Sequence, residues 1–227
     1  MRYKLILFDN DDTLMDFQAG NRNALNRLMD EVGYHDPDRY DQYEAVNLEC
    51  WAELERGLLT QGELRLERFR RFFDRYPVPG DPARAAERFV TLLGEQSILL
   101  PHALDVVRTI AEKVPVAIVT NGMTSIQTNR FARSPLREYV ADFVISEAAG
   151  VSKPRPELFW LAASRQGVKP RDALVIGDGI NSDIRGANNA GIDACWYNPH
   201  GKALPEDVHA EYVISDIRDC VEIALRP

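Results

Sequence analysis

The chain has 227 residues, a formal net charge of −8 and a hydrophobic content of 45%, a composition that excludes wholesale disorder. It has no apolar run of the roughly 18 residues that a membrane helix needs, and an acidic chain without a basic tract argues against binding of a nucleic-acid backbone. Its three scattered cysteines, Cys50, Cys195 and Cys220, fit reduced thiols better than a disulfide framework or a zinc site. The N-terminal sequence does not have the pattern of a signal peptide. We therefore expect a cytoplasmic globular protein with neither membrane nor nucleic acid as partner.

The first part of the chain predicts one strand followed by a long helical segment. Residues 3–8 are apolar enough for a buried strand, which ends at a cluster of acidic residues. From about residue 16 to residue 96, apolar and aromatic side chains recur at spacings of three and four, the pattern of helices that bury one face. Thr60 and Glu63 match a capping box, and Asp81-Pro82 matches an N-cap with proline at the first helical position. Residues 16–96 are thus predicted to form an all-helical domain.

After Pro101 the pattern changes to helices that alternate with short apolar strands. The strands are predicted at residues 116–120, 143–146, 173–177, 194–197 and 212–214. Such alternation predicts an α/β fold with a doubly wound parallel sheet covered by helices on both faces. Residues 1–15 and 97–227 would form this core, with the helical domain inserted just after the first strand.

Polar residues suited to chemistry follow each of the first strands. They are Asp9, Asn10, Asp11, Asp12 and Thr13 after the first strand, Thr120, Asn121 and Gly122 after the second, Lys153 downstream of the third, and Asp178 followed by Asp183 after the fourth. Ligands of doubly wound sheets bind outside the carboxyl ends of the strands. We therefore expect these groups to gather along one edge of the sheet.

Three clustered carboxylates, Asp9, Asp11 and Asp178, would repel one another strongly unless a cation lies among them. Ligand sets made only of oxygen favour Mg²⁺, which often recruits a substrate phosphate. Lys153 and the Thr120 hydroxyl beside the cation would complete a phosphate site.

Two acids one residue apart can divide the work of a two-step phosphoryl transfer. One carboxylate attacks phosphorus as a nucleophile. The other gives a proton to the leaving oxygen and then takes one from water.

In order along the chain, Asp9-Asn10-Asp11-Asp12-Thr13, Thr120, Lys153 and Gly177-Asp178 with Asp183 resemble the four motifs of the haloacid-dehalogenase superfamily. The helical insert resembles a C1-type cap, so the resemblance spans the whole chain. It implies that Asp9 is the nucleophile and a Mg²⁺ ligand. It also implies that Asp11 is the general acid and base, with a backbone carbonyl that binds Mg²⁺.

The same resemblance assigns the remaining residues. Thr120 would hold the transferring phosphoryl group, Lys153 would neutralise the nucleophile and the phosphate, and Asp178 would bind Mg²⁺. Asp183 would not bind the ion directly but would orient a water ligand of the ion or the lysine. Asn10, Asn121 and Gly122 are expected to contact the substrate.

The carboxylate at Asp11 favours a phosphatase or a mutase within the superfamily, because a halide leaves carbon without needing a proton. Parts of the cap and of the second motif resemble the house-cleaning pyrimidine 5′-nucleotidases: residues 43–47, Trp51, residues 57–60, Arg68-Phe69, residues 120–127, residues 145–147 and residues 195–198. This resemblance implies hydrolysis of nucleoside 5′-monophosphates, including non-canonical pyrimidine ones.

Two other functions stay open at this point. The chain could be a phosphatase or mutase for a small sugar phosphate or phosphoglycolate, since the motifs are shared and only the cap differs. It could also be a catalytically silent binding module, although such copies commonly lose an acid or the lysine, and all are present here. The oligomeric state, monomer or homodimer, is not specified by the sequence.

Each of these residues also has a purely structural interpretation. Asp9 to Thr13 could be an acidic turn or helix cap, Lys153 a surface lysine, and Asp183 only the cap of its helix. Phe17 and Asn21 follow the first motif and could contact substrate or simply pack. The cap aromatics are expected to form a core rather than a ligand site; they are Tyr43, Trp51, Phe69, Phe72 and Phe73.

Overall fold

The computed structural model describes all 227 residues, apart from the side chains of Glu55 and Gln61. The chain divides into two compact units. One contains Met1–Phe17 and Ser97–Pro227, and the other contains Gln18–Gln96. Within the described part of the chain, no helix combines the length and the apolar character of a membrane span.

Four helices make up the inserted segment: α1 (Phe17–Val32), α2 (Arg39–Glu55), α3 (Gln61–Arg75) and α4 (Pro82–Gly94). The capping box predicted at Thr60 and Glu63 is present at the start of α3, and the Asp81 side chain accepts the Ala83 N–H at the start of α4. These contacts satisfy N–H groups that the first helical turn leaves without partners.

Aromatic side chains form the centre of the helical unit. The Tyr43 ring centroid lies 5.3 Å from that of Phe69, 5.7 Å from that of Phe72 and 5.9 Å from that of Phe89. The core interpretation was wrong for Trp51, which is 43% exposed. The buried stripe of α2 runs instead through Tyr40, Tyr43, Val46, Asn47 and Cys50.

The other unit is built on a six-stranded sheet with the order β3-β2-β1-β4-β5-β6. The strands are β1 (Leu5–Phe8), β2 (Val116–Thr120), β3 (Asp142–Ile145), β4 (Ala173–Gly177), β5 (Asp193–Tyr197) and β6 (Tyr212–Ile214). All five pairings are parallel. The predicted fold class is therefore confirmed. β1 lies between β2 and β4, so the carboxyl ends of these three strands lie side by side.

Six helices follow within this unit: α5 (Ala103–Ala111), α6 (Thr124–Arg133), α7 (Ser146–Ala149), α8 (Pro156–Arg165), α9 (Arg185–Ala190) and α10 (Asp219–Ala224). Side chains alternate along β1, so Ile6 and Phe8 join one hydrophobic cluster while Leu5 and Leu7 join the other. Both faces of the sheet are thus buried, as a parallel sheet requires.

Two short segments differ from the sequence prediction. Ser146 does not end β3 but begins α7, a single turn that closes at Gly150 with a φ of +69°. The helix predicted from Asp183 starts earlier, as a π-helical turn over Ile180–Ile184 that continues into α9. In that turn Gly179 O accepts the N–H groups of both Asp183 and Ile184. The Asp183 side chain is buried, which the wide turn allows.

The segments that lead into and out of the helical insert pair with each other inside the sheet unit. Met15 and Leu99 form an antiparallel bridge. The Asp16 N–H donates to Ile98 O at 3.0 Å, and the Leu100 N–H donates to Leu14 O at 2.9 Å. The backbone of the sheet unit is therefore hydrogen-bonded across the point where the helical segment is inserted.

Candidate active site

The loop after β1 is tightly folded on itself. The Asp9 N–H still donates to Ile176 O of β4 at 2.9 Å, while Asn10 O accepts two N–H groups from the following turn. Asp12 has a φ of +60°, uncommon for a residue with a side chain. Its Oδ1 accepts the Phe17 N–H at the start of α1. This turn places five consecutive polar residues, 9–13, at the end of β1.

Lys153 is a buried ammonium with a full set of acceptors. Its Nζ donates to Asp9 Oδ1 at 2.5 Å, to Asp183 Oδ1 at 2.7 Å and to Val119 O at 2.9 Å. An ammonium group has three N–H donors, so each is used. The interpretation of Lys153 as a surface lysine is therefore wrong.

The Asn121 side chain fixes the backbone of Lys153. Its Oδ1 accepts the Lys153 N–H at 2.9 Å, and its Nδ2 donates to Lys153 O at 3.0 Å. This pair of bonds attaches the loop after α7 to the end of β2. Asn121 thus sets where the lysine enters the site.

Three carboxylates meet at the ends of β1 and β4. Oxygens of Asp9, Asp178 and Asp183 all lie within 4.8 Å of one another. The Thr13 hydroxyl lies 3.2 Å from Asp178 Oδ1 and 3.5 Å from Asp9 Oδ2, and it accepts the Asp178 N–H at 3.0 Å. Thr13 therefore connects the loops of the two strands.

Asp183 reaches this cluster because β4 ends in glycine. A Cβ on Gly177 would lie 2.5 Å from Asp183 Cγ, so any side chain there would force Asp183 to move. Asp183 Oδ2 also accepts the Gly179 N–H at 2.9 Å. The carboxylate is therefore held between the backbone after β4 and Lys153, rather than capping the helix that follows.

Burial and charge dominate the protonation of this cluster. Burial, followed by repulsion from Asp183, raises the pKa of Asp9 well above its usual value, and Lys153 opposes this. Burial raises the pKa of Asp178 to about 6, with further repulsion from Asp183 and Asp12. Burial lowers the pKa of Lys153, but attraction by Asp183 and Asp9 outweighs it and the net shift is upward. The lysine therefore stays charged, while Asp9 and Asp178 need additional positive charge to ionise fully.

Asp11 lies apart from these three acids and has its own cation. Arg130 Nη1 donates to Asp11 Oδ1, and Gln127 Nε2 donates to Asp11 Oδ2 at 2.7 Å. Asn10, which is fully buried, donates from Nδ2 to Gln127 Oε1 at 2.8 Å. The first loop is thus bound to α6 through side chains.

Thr120 is the last residue of β2, directly after Val119, whose carbonyl accepts from Lys153 Nζ, and Gly122 follows two residues later. Thr120 is buried, and its backbone pairs with Ile145 of β3. The Gly122 N–H donates to Ser146 Oγ at 3.1 Å. The structure therefore gathers Asp9, Thr120, Lys153, Asp178 and Asp183 at one sheet edge, with Asp11 on the same loop.

Comparison with known proteins identifies the family of this chain. Residues 3–191 match the family model described as haloacid dehalogenase-like hydrolase. The chain belongs to this family. The hydrolase is 36% identical over 229 residues to pyrimidine 5′-nucleotidase PynA of Streptococcus pneumoniae, with 98% of this chain and 96% of that protein covered.

Two further proteins resemble the hydrolase over nearly its whole length. It is 31% identical to pyrimidine 5′-nucleotidase YjjG of Escherichia coli, with 98% of each chain covered. Its fold is similar to that of the HAD-hydrolase YfnB from Bacillus subtilis bound to magnesium, with a TM-score of 0.90 and 31% identity. That alignment covers 99% of this chain and 100% of that one.

The two residues for which the sequence left substrate contact and packing equally open are both engaged with protein groups. The Phe17 ring is half-buried and lies 5.6 Å from the Arg130 guanidinium. Asn21 is buried in the helical unit, where its Nδ2 donates to the Tyr40 hydroxyl at 3.3 Å. These contacts favour the packing interpretation for both residues.

Arg130, Gln127 and Ser146 were not predicted from the sequence to have a role in the site of this hydrolase. Gln127 and Arg130 lie three residues apart on the helix that follows Thr120-Asn121-Gly122, so they share one face of α6. That spacing could have been used to predict that the two side chains act at the same place. Nothing in the sequence, however, marks Arg130 as fully buried, because arginine is usually exposed.

Proposed function

We propose that this hydrolase is a Mg²⁺-dependent phosphomonoesterase that acts on nucleoside 5′-monophosphates, pyrimidine nucleotides foremost. The observation that carries the proposal is the buried ammonium of Lys153 between Asp9 and Asp183, with the Asp178 carboxylate beside them. Such a site can accept a phosphate dianion only with further positive charge, and it offers a carboxylate nucleophile already positioned next to a cation.

The residues present fit a bound Mg²⁺. Asp9, Asp178 and Asp183 bring three negative charges against the single charge of Lys153, which leaves two charges for a divalent cation to balance. All the donors are hard oxygens, the type that Mg²⁺ prefers. Asp9, Asp178 and the backbone carbonyl of Asp11 would hold the ion, with Asp183 retained by Lys153. When bound, the ion would stabilise the negative charge of the phosphoryl group.

In the first step an Asp9 carboxylate oxygen attacks phosphorus, and the bond from phosphorus to the leaving 5′-oxygen breaks. Asp11 gives its proton to that oxygen, so the nucleoside leaves as an alcohol. Lys153 holds the charge on Asp9 and on the transferred group. The Thr120 hydroxyl and the backbone N–H of Asn121 would orient the phosphoryl oxygens.

In the second step water attacks the phosphorus of the aspartyl phosphate. The bond between Asp9 and phosphorus breaks, and the water proton passes to Asp11, which restores both acids. Asp11 thus serves as acid and then as base, and its carboxyl group needs to face the reacting oxygen in both steps.

The nucleotide part of the proposal is supported by the relatives. Two proteins named pyrimidine 5′-nucleotidases match almost the entire chain, including the helical insert. The cytoplasmic location and the choice between monomer and homodimer stay predictions.

A substrate panel with the purified protein tests the proposal. Phosphate release would be measured with and without Mg²⁺ for pyrimidine and purine monophosphates, phosphoglycolate, a hexose phosphate and p-nitrophenyl phosphate. We expect Mg²⁺-dependent hydrolysis with kcat/KM highest for a pyrimidine monophosphate. A preference for phosphoglycolate or the hexose phosphate would contradict the nucleotide assignment, and failure to hydrolyse any phosphomonoester would contradict the whole proposal.

A further inference from the structure

Arg130 is a fully buried arginine whose charge is directed at Asp11. Its side chain is 1% exposed, against 23% for Asp11, and its Nη1 donates to Asp11 Oδ1. The guanidinium also lies 5.6 Å from the centre of the Phe17 ring, within the range of a cation–π contact. Burying a guanidinium is costly unless a carboxylate pairs with it. The pairing of Arg130 with Asp11 is therefore a built feature of the site.

Gln127, one helical turn before Arg130, fixes the other oxygen of the same carboxylate. Its Nε2 donates to Asp11 Oδ2 at 2.7 Å, and its Oε1 accepts the Asn10 Nδ2 at 2.8 Å. The ionised Asp11 carboxylate can only accept, so Gln127 Nε2 faces it and Gln127 Oε1 faces the Asn10 amide. Both oxygens of Asp11 are thus bound by donors from one face of α6.

Gly122 leaves the space that Gln127 occupies. A Cβ at position 122 would lie 2.8 Å from Gln127 Nε2 and 2.9 Å from its Cγ. Real Cβ atoms essentially never approach so closely, so any side chain there would displace Gln127 from Asp11. The glycine after β2 is therefore part of the same arrangement.

We propose that Arg130 and Gln127 are positioning residues that fix the orientation of the Asp11 carboxyl group for its two proton transfers. The proposal rests on the function proposed above, in which Asp11 is the acid and base. Neither residue exchanges a proton; each holds one carboxylate oxygen. Proton transfer requires the carboxyl oxygen within hydrogen-bond reach of its partner, and misplacement by about 1 Å can cost on the order of 10²-fold in rate.

The main test compares two leaving groups in Arg130→Met and Gln127→Met. With a nucleoside monophosphate, whose alkoxide needs a proton to leave, we expect kcat to fall by about 10²-fold with KM nearly unchanged. With p-nitrophenyl phosphate the phenolate leaves without a proton, so phosphorylation of Asp9 should be much less affected. The later hydrolysis should still slow, so that nitrophenolate appears in a burst equal to the enzyme concentration.

Two comparisons separate positioning from loss of structure. Arg133→Met changes an exposed arginine on the same helix, one turn further on, and should leave kcat unchanged for both substrates. In an Asp11→Asn background, Arg130→Met should cost nothing more, because its effect passes through Asp11. Where Arg130→Met fails to fold, Gln127→Met provides the same measurement.

The outcomes distinguish this inference from the proposed function. If the wild type is an active phosphatase and folded Arg130 and Gln127 variants keep their kcat, the positioning role is wrong. It is also wrong if they slow the nitrophenolate burst as much as nucleotide hydrolysis, or if Arg130→Met costs the same in the Asp11→Asn background. If instead the wild type hydrolyses no phosphomonoester, the proposed function fails and this inference with it.

Discussion

Lys153 Nζ lies 2.5 Å from Asp9 Oδ1, and the two side chains are 2% and 9% exposed. The nucleophile proposed for this hydrolase is thus next to a permanent positive charge before any substrate arrives. Asp183 shares the same ammonium at 2.7 Å. Because one cation serves two acids, the site stays short of positive charge, and both its stability and its activity should respond to Mg²⁺.

Replacing Asp9 by Asn should abolish turnover while the fold persists. The amide cannot attack phosphorus, so we expect kcat to fall by at least about 10³-fold. Lys153 keeps Asp183 as its partner, and one source of repulsion is removed, so the melting temperature should not fall markedly. Phosphate release and thermal unfolding measure the two effects. Asp105→Asn, at an exposed position of α5, is the matched control and should keep full activity. Full Mg²⁺-dependent activity in Asp9→Asn would overturn the assignment of the nucleophile.

Lys153→Met should destabilise the protein as well as inactivate it. Removing one partner of a buried ion pair leaves uncompensated charge, which typically costs about 3–5 kcal/mol of unfolding free energy. Urea unfolding without metal would measure the loss. Saturating Mg²⁺ should recover part of it, because the ion supplies charge to the same carboxylates. A variant as stable as the wild type without metal would show that the Lys153 pairings contribute little net stability.

Mg²⁺ should raise the melting temperature of the wild type but not that of Asp178→Asn. A ligand that binds only the folded state at about 100 times its dissociation constant stabilises it by about 2.7 kcal/mol. The variant loses a proposed ligand and one negative charge. Asp207→Asn, an exposed acid of the same unit, serves as control and should respond like the wild type. An equal Mg²⁺ response in Asp178→Asn would remove Asp178 from the ligand set.

The affinity for Mg²⁺ should increase with pH. Burial raises the pKa of Asp178 to about 6, whereas an unfolded aspartate titrates at about 3.9. Between these values the folded state keeps a proton that the unfolded state has released, so the metal-free protein should lose stability as pH rises from about 4 to 6. Mg²⁺ displaces that proton, so its affinity should rise by up to about tenfold per pH unit below pH 6.

Calorimetric titrations of Mg²⁺ at pH 5, 6, 7 and 8 would measure this dependence. The raised pKa of Asp9 should add to this dependence in the same direction. Equal affinity at pH 5 and pH 7 would contradict the protonation state that we assign to the cluster.

Much of the fold could be predicted because the spacing of apolar residues along the chain indicates its strands and helices. The apolar strands at Val116–Thr120, Ala173–Gly177 and Tyr212–Ile214 were predicted with their observed bounds, and the others differ by only one or two residues. The parallel direction of the strands follows from the helices that connect them. The π-helical turn at Ile180–Ile184 could not be predicted, because it depends on the contact of Asp183 with the backbone after β4 and not on local preference.

The positions of the site residues at the strand ends could be predicted. The hydrogen-bond partners of their side chains could not. Acids after β1 and β4 had to meet, since those strands are neighbours. The sequence did not show that Asn121 would fix Lys153 through its amide or that Arg130 would be buried against Asp11. Such pairings depend on rotamers and on space left by residues such as Gly122, which no spacing rule describes.

The strand that carries Asp9 comes first in the chain, yet both of its neighbours are encoded much later. Leu5–Phe8 pairs with β2, beyond the helical insert, and with β4 at residues 173–177. At a synthesis rate of about 5–20 residues per second, the time between synthesis of β1 and synthesis of β4 is on the order of ten seconds. During that time at least one edge of this apolar strand has no partner strand. A nascent chain that stops before Asp183 can form no complete site, so activity should appear abruptly and late during translation.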